Sequence, residues 1–373
     1  MDEILVHNNW DPLEEIWLGD VWPTHFYDDL EPELRDAFCQ ITEWTKEDLN
    51  KIQKKLEEFN VIVKRPYVDG DKSLYLNVDN NKLCKPPITP RDNNCVVGKK
   101  LFFGDNTLHH CFDPLLKDYP QEQIIKDKYL SGANTVKLGK DIIIDGYNYF
   151  ENKDDIERVY LELWHRQRNA FTFLSDYRIQ YATNGGHVDG CFMPVKEGLL
   201  LATNYWTDYE LTFPGWETIA LNTPTYHNHK WGNGHNGQRW MVPGVRSYPH
   251  FNEYLEKYCN EWIGNFKETY FEVNIVMLDE KNMLCMGEHP TLFKTLEKHG
   301  VTCHVVPFRA RTFWDGGLHC ITLDIRRKAV MKDYFPERGS PRGVVSVLSK
   351  YFNNDTELFN ASYKDWKTSK GLV

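Results

Sequence analysis

Short apolar runs separated by tight turns recur along this chain. Four segments share one layout, an apolar stretch, a turn with Gly or Asp beside Lys or Glu, and a second apolar stretch: CVVGKKLFFG from Cys95, TVKLGKDIIID from Thr135, FMPVKEGLLLA from Phe192 and IVMLDEKNMLC from Ile275. That pattern predicts four β-hairpins, and its repetition predicts an architecture built from like units. EEIWLGD near Glu14 and HCITLDIRRK near His319 supply strands for a fifth unit in which the two ends of the chain meet. Such closure removes exposed sheet edges. Helical spacing lies between the hairpins, from Thr45 to Phe59 with Thr45 as the expected N-cap, from Asp154 to Ser175, and from His289 to His299. The predicted unit is two or three strands plus a helix, repeated about five times around an axis.

Pro86 to Pro90 and the Gly/His/Asn-rich stretch from His227 to Arg239 read as long loops, and no low-complexity linker divides the chain. A single catalytic domain over 1–373 is the expectation, with 337–373 as a C-terminal extension that carries no chemical motif. With 41% apolar and 26% charged residues the chain has ample material for a core. A formal charge of −10 argues against a nucleic-acid surface or an anionic membrane as partner and suits a small cationic substrate. The acidic N-terminus lacks the basic and apolar regions of a secretory signal, and no apolar run reaches eighteen residues. Nine cysteines without CxxC spacing fit a reducing compartment, so a cytoplasmic location is expected.

Polar or ionisable residues stand beside hairpins in four places: Pro90-Arg91-Asp92, Ser131-Gly132-Ala133-Asn134, Asn184-Gly185-Gly186-His187-Val188-Asp189 and Gly316-Gly317-Leu318-His319-Cys320. Hairpins set about one axis bring equivalent ends together, so these residues can share a site. Gly185-Gly186 and Gly316-Gly317 allow backbone close to a ligand. A glycine-rich approach and a His partner elsewhere raise Cys320 above the other cysteines. His227, His229 and His235 lack a second ligand type at diagnostic spacing, and GNGHNG lacks the strand, Lys-Ser/Thr ending and helix of a phosphate loop. Neither a metal nor another cofactor is expected.

VHNNWDPLEEIWLGD at the start, HVDGCFMPVKEGLLLA, VMLDEK and GGLHCITLDIRR resemble, in order, segments of the amidinotransferases, which belong to the guanidine-modifying superfamily. The resemblance implies the pentein fold, a five-bladed pseudosymmetric α/β propeller of ββαβ-like units. It also implies covalent chemistry, with Cys320 attacking the guanidinium carbon of an arginine-like donor and His187 acting as acid and base. Asp189 and Asp92 match family aspartates that hold the guanidinium, whose planar fork of donors suits carboxylates. Arg91, Ser131 and Asn184, in the same loops, complete the expected substrate-binding set. A homodimer is implied by analogy with the family alone.

Two departures bear on substrate. Ser131 and Asn134 occupy positions where the family carries acidic residues, which leaves Asp141 or Asp145 to compensate, the substrate to differ or the activity to be impaired. Trp206 stands near the position where the family carries an arginine that grips a donor carboxylate, with Arg246, Arg309 and Arg311 as possible substitutes. Amidino transfer is therefore the leading expectation. Hydrolysis of the same intermediate, as in a deiminase or dihydrolase, is the alternative among enzymes, and a non-catalytic guanidinium-binding protein is the alternative outside them.

Overall fold

In a computed structural model the described residues are 3–104, 109–127, 130–145, 172–182, 187–203, 208–221, 249–259, 262, 273–314 and 316–338. Hairpin turns take the form that their sequences demand. Gly98 and Gly139 open two-residue turns with positive φ, which glycine adopts without a Cβ penalty. The alternation on either side then pairs strands β3 (Asn94–Val97) with β4 (Lys100–Phe103) and β6 (Thr135–Leu138) with β7 (Asp141–Asp145). In the same way β9 (Phe192–Lys196) pairs with β10 (Leu199–Ala202), and β12 (Val276–Asp279) with β13 (Asn282–Cys285). The four expected hairpins are all present.

Each hairpin gains a third strand parallel to its second, and a parallel partner requires a crossover. These third strands are β5 (Ile124–Lys126), β8 (Arg178–Ala182), β11 (Glu217–Ala220) and β14 (Thr302–Val305). Helices His109–Leu116, Asp208–Thr212 and Pro290–Lys298 lie in the crossovers to β5, β11 and β14. The last of these matches the expected helix from His289 to His299. The expected helix from Asp154 to Ser175 lies almost entirely outside the described residues.

The fifth sheet joins the chain ends. β1 (Leu13–Leu18) runs antiparallel to β15 (Thr322–Arg327) and parallel to β2 (Ile62–Lys64), with Ile16 opposite Asp324 and Trp17 opposite Leu323. The described residues thus form five three-stranded sheets with the same internal pairing, matching the five predicted units. Helix α1 (Pro32–Glu58) forms the β1–β2 crossover and starts well before Thr45. Pro32 occupies its first turn, and Leu34, Ala37, Phe38 and Ile41 continue the buried stripe upstream. Thr45 is therefore interior and not an N-cap. Its hydroxyl donates to the Ile41 carbonyl and accepts the indole N–H of Trp314.

Side chains from β6, β15 and the turn at Arg91 meet in one buried ion cluster. Asp324 on β15 accepts from Arg91 Nη2 at 2.7 Å, from Lys137 Nζ of β6 at 3.3 Å and from Arg327 Nε at 3.0 Å. Arg327 also donates to the Met277 carbonyl of β12. Three cations around one carboxylate hold Asp324 far below the usual carboxylate range despite its burial. Burial pushes Lys137 and Arg327 down from their ordinary values. The beginning of the expected C-terminal extension folds back onto this scaffold, with Arg338 donating to Asp141 at 3.2 Å. Among the described residues no helix is long and apolar enough to cross a membrane.

Candidate active site

The first strand of each hairpin, and β15 in the closing sheet, follows a short loop, and chemistry gathers in those loops. Asp92, Ala133, Asn274 and Cys320 each stand two residues before β3, β6, β12 and β15. Asp189 stands three before β9. Cys320 is 5% exposed, in a tight turn where Ile321 N–H donates to the Gly317 carbonyl and Thr322 Oγ1 to the Leu318 carbonyl. Arg91 supports that turn from behind through Nε, which donates to the carbonyls of His319 at 2.7 Å and Thr322 at 2.9 Å. With its Nη2 on Asp324, Arg91 is buried and braces the scaffold, while its Nη1 is buried with no hydrogen-bond partner among the described residues. The backbone run that puts Asp92 at the site turns its neighbour inward.

Asp189 is 1% exposed and lies on the other side of Cys320. Its Oδ2 sits 2.8 Å from His319 Nδ1 and accepts from the Cys320 thiol at 3.6 Å. Burial alone would raise Asp189, but the His319 hydrogen bond and the nearby His319, His187 and Arg91 charges hold it below the usual carboxylate range. Burial, aided by the Arg91 charge, pushes His319 down to about 4 against the opposing pull of Asp189. His319 is thus a neutral donor to an ionised carboxylate near neutral pH. Burial is also the largest influence on Cys320 and drives its thiol well up, with the Asp189 and Asp92 charges acting in the same direction. Asp92 Oδ1 and Asp189 Oδ1 are buried with no hydrogen-bond partner among the described residues. Two orphaned carboxylate oxygens around a thiol make a site shaped for a compact cation carrying several N–H donors.

His187 is half-buried and opens the short turn Val188–Gly190, where its carbonyl accepts from Gly190 N–H. Its side chain is near enough for its charge to act on Asp189. Ser131 Oγ accepts from Ala133 N–H at 3.2 Å. This loop lies between the Asp92 and Asp189 loops, since Gly132 N–H donates to the Arg91 carbonyl and Asp189 N–H to the Ala133 carbonyl. It brings no carboxylate. Asp141 does not compensate, because it is buried in ion pairs with Arg178 and Arg338 where β7 begins. The side chain of Asp145 lies outside the described residues, as do Asn184, Trp206, Arg246, His227, His229 and His235. Arg309 is committed to Asp48 and Glu47 of α1, whereas Arg311 reaches the Met286 carbonyl at 3.5 Å.

Asn274 was absent from the sequence expectations. Its Nδ2 donates to Cys320 Sγ at 3.0 Å and to the Asp189 carbonyl at 3.3 Å. Its Oδ1 accepts from His319 N–H at 2.8 Å and Cys320 N–H at 3.2 Å. The usable signal was positional, because Asn274 precedes a predicted hairpin as Asp92 and Cys320 precede their strands.

No family model matches the chain. It is 22% identical over 390 residues to the mitochondrial glycine amidinotransferase of Xenopus laevis, covering 88% of this chain and 84% of that protein. It is 23% identical over 388 residues to inosamine-phosphate amidinotransferase 1 of Streptomyces glaucescens, covering 90% and 99%. Among solved structures, SxtG, an amidinotransferase from Microseira wollei in the saxitoxin biosynthetic pathway, superposes with a TM-score of 0.58 at 20% identity, over 89% of this chain and 99% of that one. The five sheets and this superposition give the chain an α/β, pentein-like fold. Over most of its length the chain is similar in sequence to the amidinotransferases, enzymes of the transferase class, and it shares the fold of their solved structures.

Proposed function

We propose that this protein moves an amidino group from arginine, or a close analogue, to an acceptor amine by a ping-pong route through Cys320. The observation that carries this reading is the pair of orphaned oxygens, Asp92 Oδ1 and Asp189 Oδ1, in the loops around the Cys320 thiol. A guanidinium fills that space with donors for both carboxylates. Its positive charge offsets the two negative charges that hold the thiol protonated, so donor binding itself promotes the thiolate.

His187 takes the proton from the Cys320 thiol, and the resulting thiolate attacks the guanidinium carbon and forms a C–S bond. The tetrahedral species then breaks its C–N bond to the donor, and His187 delivers a proton to the departing amine. The product is an amidino group on Sγ with neutral His187. An acceptor amine gives a proton to His187, attacks the same carbon and expels the Cys320 thiolate. Asp189 stays ionised throughout, fixed by His319.

The five sheets stand, in this reading, as blades about an axis through the Asp324 cluster, with the site at one end. The donor pocket differs from that of an enzyme with acidic residues in the third loop, because Ser131 and Asn134 are neutral. We place the protein in a reducing, cytoplasmic setting that keeps Cys320 reduced, and the homodimer is carried as part of the same proposal.

Arginine labelled with 13C at the guanidino carbon tests the reading by NMR. With a panel of amines, the label should move to one of them while ornithine accumulates, and Cys320→Ala should abolish both. Label that leaves as urea, or stays on arginine with every amine, contradicts amidino transfer.

A further inference from the structure

We propose that Asn274 is the positioning residue of the nucleophile, holding the backbone of Cys320 with its carbonyl while its amide keeps an N–H on Sγ to stabilise the thiolate. This rests on the reading of Cys320 as nucleophile given above. Four hydrogen bonds converge on one carboxamide that is 1% exposed: two backbone donors of the Cys320 turn, the Asp189 carbonyl and the sulfur itself.

Chemistry explains why the side chain is an amide. Oδ1 must accept from two N–H groups and Nδ2 must donate, and among the short side chains of this shape only asparagine does both. Aspartate keeps the acceptor, loses the donor and adds a third negative charge beside the sulfur. Space is equally restrictive. A Cβ on Gly317 would lie 2.3 Å from Asn274 Oδ1, so glycine at 317 is what lets the carboxamide reach the turn.

The balance of charge gives the amide its importance. Asp189 and Asp92 oppose ionisation of Cys320, as does burial, and Arg91, His187 and His319 act on the same loops. The hydrogen bonds that favour the thiolate come from Asn274 and from the Gly317 segment. Removing the first shifts the balance toward the thiol.

The test is the pH dependence of Cys320 alkylation by iodoacetamide, read by peptide mass in the full-length protein, with the wild type beside Asn274→Asp and Gly317→Ala. The midpoint for Asn274→Asp should rise by about one pH unit or more. Gly317→Ala, which displaces the carboxamide without changing its chemistry, should move it the same way, and this variant decides the matter if Asn274→Asp does not fold. Wild-type midpoints in the folded variants overturn the proposal. The readout needs no turnover: a shifted midpoint in a protein that forms no amidino adduct upholds the positioning role and removes the transferase reading. An adduct with unshifted midpoints does the reverse.

Discussion

Asp189 and His319 share a short buried hydrogen bond at the site, and their protonation states carry a consequence for stability. In the unfolded chain His319 takes up a proton near pH 6.5, but in the folded chain only near pH 4, because burial and Arg91 oppose the charge. Between those values the unfolded state binds more protons. The fold is therefore expected to lose stability as pH falls through that window and to keep the full contribution above it. Urea unfolding from pH 7 to pH 4 should show this slope in the wild type and a shallower one in His319→Gln, and equal slopes would contradict the assignment of neutral His319. Asp92, Asp189, His187 and Cys320 were legible in the sequence because each stands beside a predicted hairpin. The inward turn of Arg91 was not, since adjacent residues of a one-turn helix can point to site or scaffold with no sign in their types.

Hairpins were the most legible elements, because β-branched and leucine-rich runs flanking a Gly-Lys, Glu-Gly or Glu-Lys turn leave few alternatives. Helix α1 extends well upstream of the expected start at Thr45, which resembles an N-cap when its partner is unseen. Its hydroxyl is instead the acceptor for Trp314, an indole buried just before the Gly316-Gly317 approach to Cys320. Thr45→Val removes that acceptor and leaves a buried N–H unpaired, at a cost of about 1–3 kcal/mol. Chemical denaturation should show the loss, and an unchanged midpoint would mean that the indole finds another partner. Crossover strands were harder to read than hairpins, because β2, β5 and β14 are short and partly exposed and carry little alternation.

The scale of the whole molecule is set by closure and by the ion cluster. Pairing β1 with β15 joins residues some three hundred positions apart, and the sequence signalled it through the unpartnered apolar runs near Glu14 and His319. The Asp324 cluster was invisible to the pattern, as charged residues within inner strands read as exposed positions until the strands surround them. Asp324→Ala would leave the Arg91, Lys137 and Arg327 charges without their shared carboxylate, a loss of about 3–5 kcal/mol. Urea unfolding checks it, and wild-type stability would show that the cluster contributes nothing net. Directly behind Cys320, the cluster also links fold to chemistry, since Arg91 joins it to the nucleophile turn. Transfer through that thiol is tested by the intact mass of the protein after incubation with arginine and no acceptor. A gain of one amidino group is expected, absent in Cys320→Ala and lost when the correct amine is added. An unchanged mass with no ornithine released would contradict it.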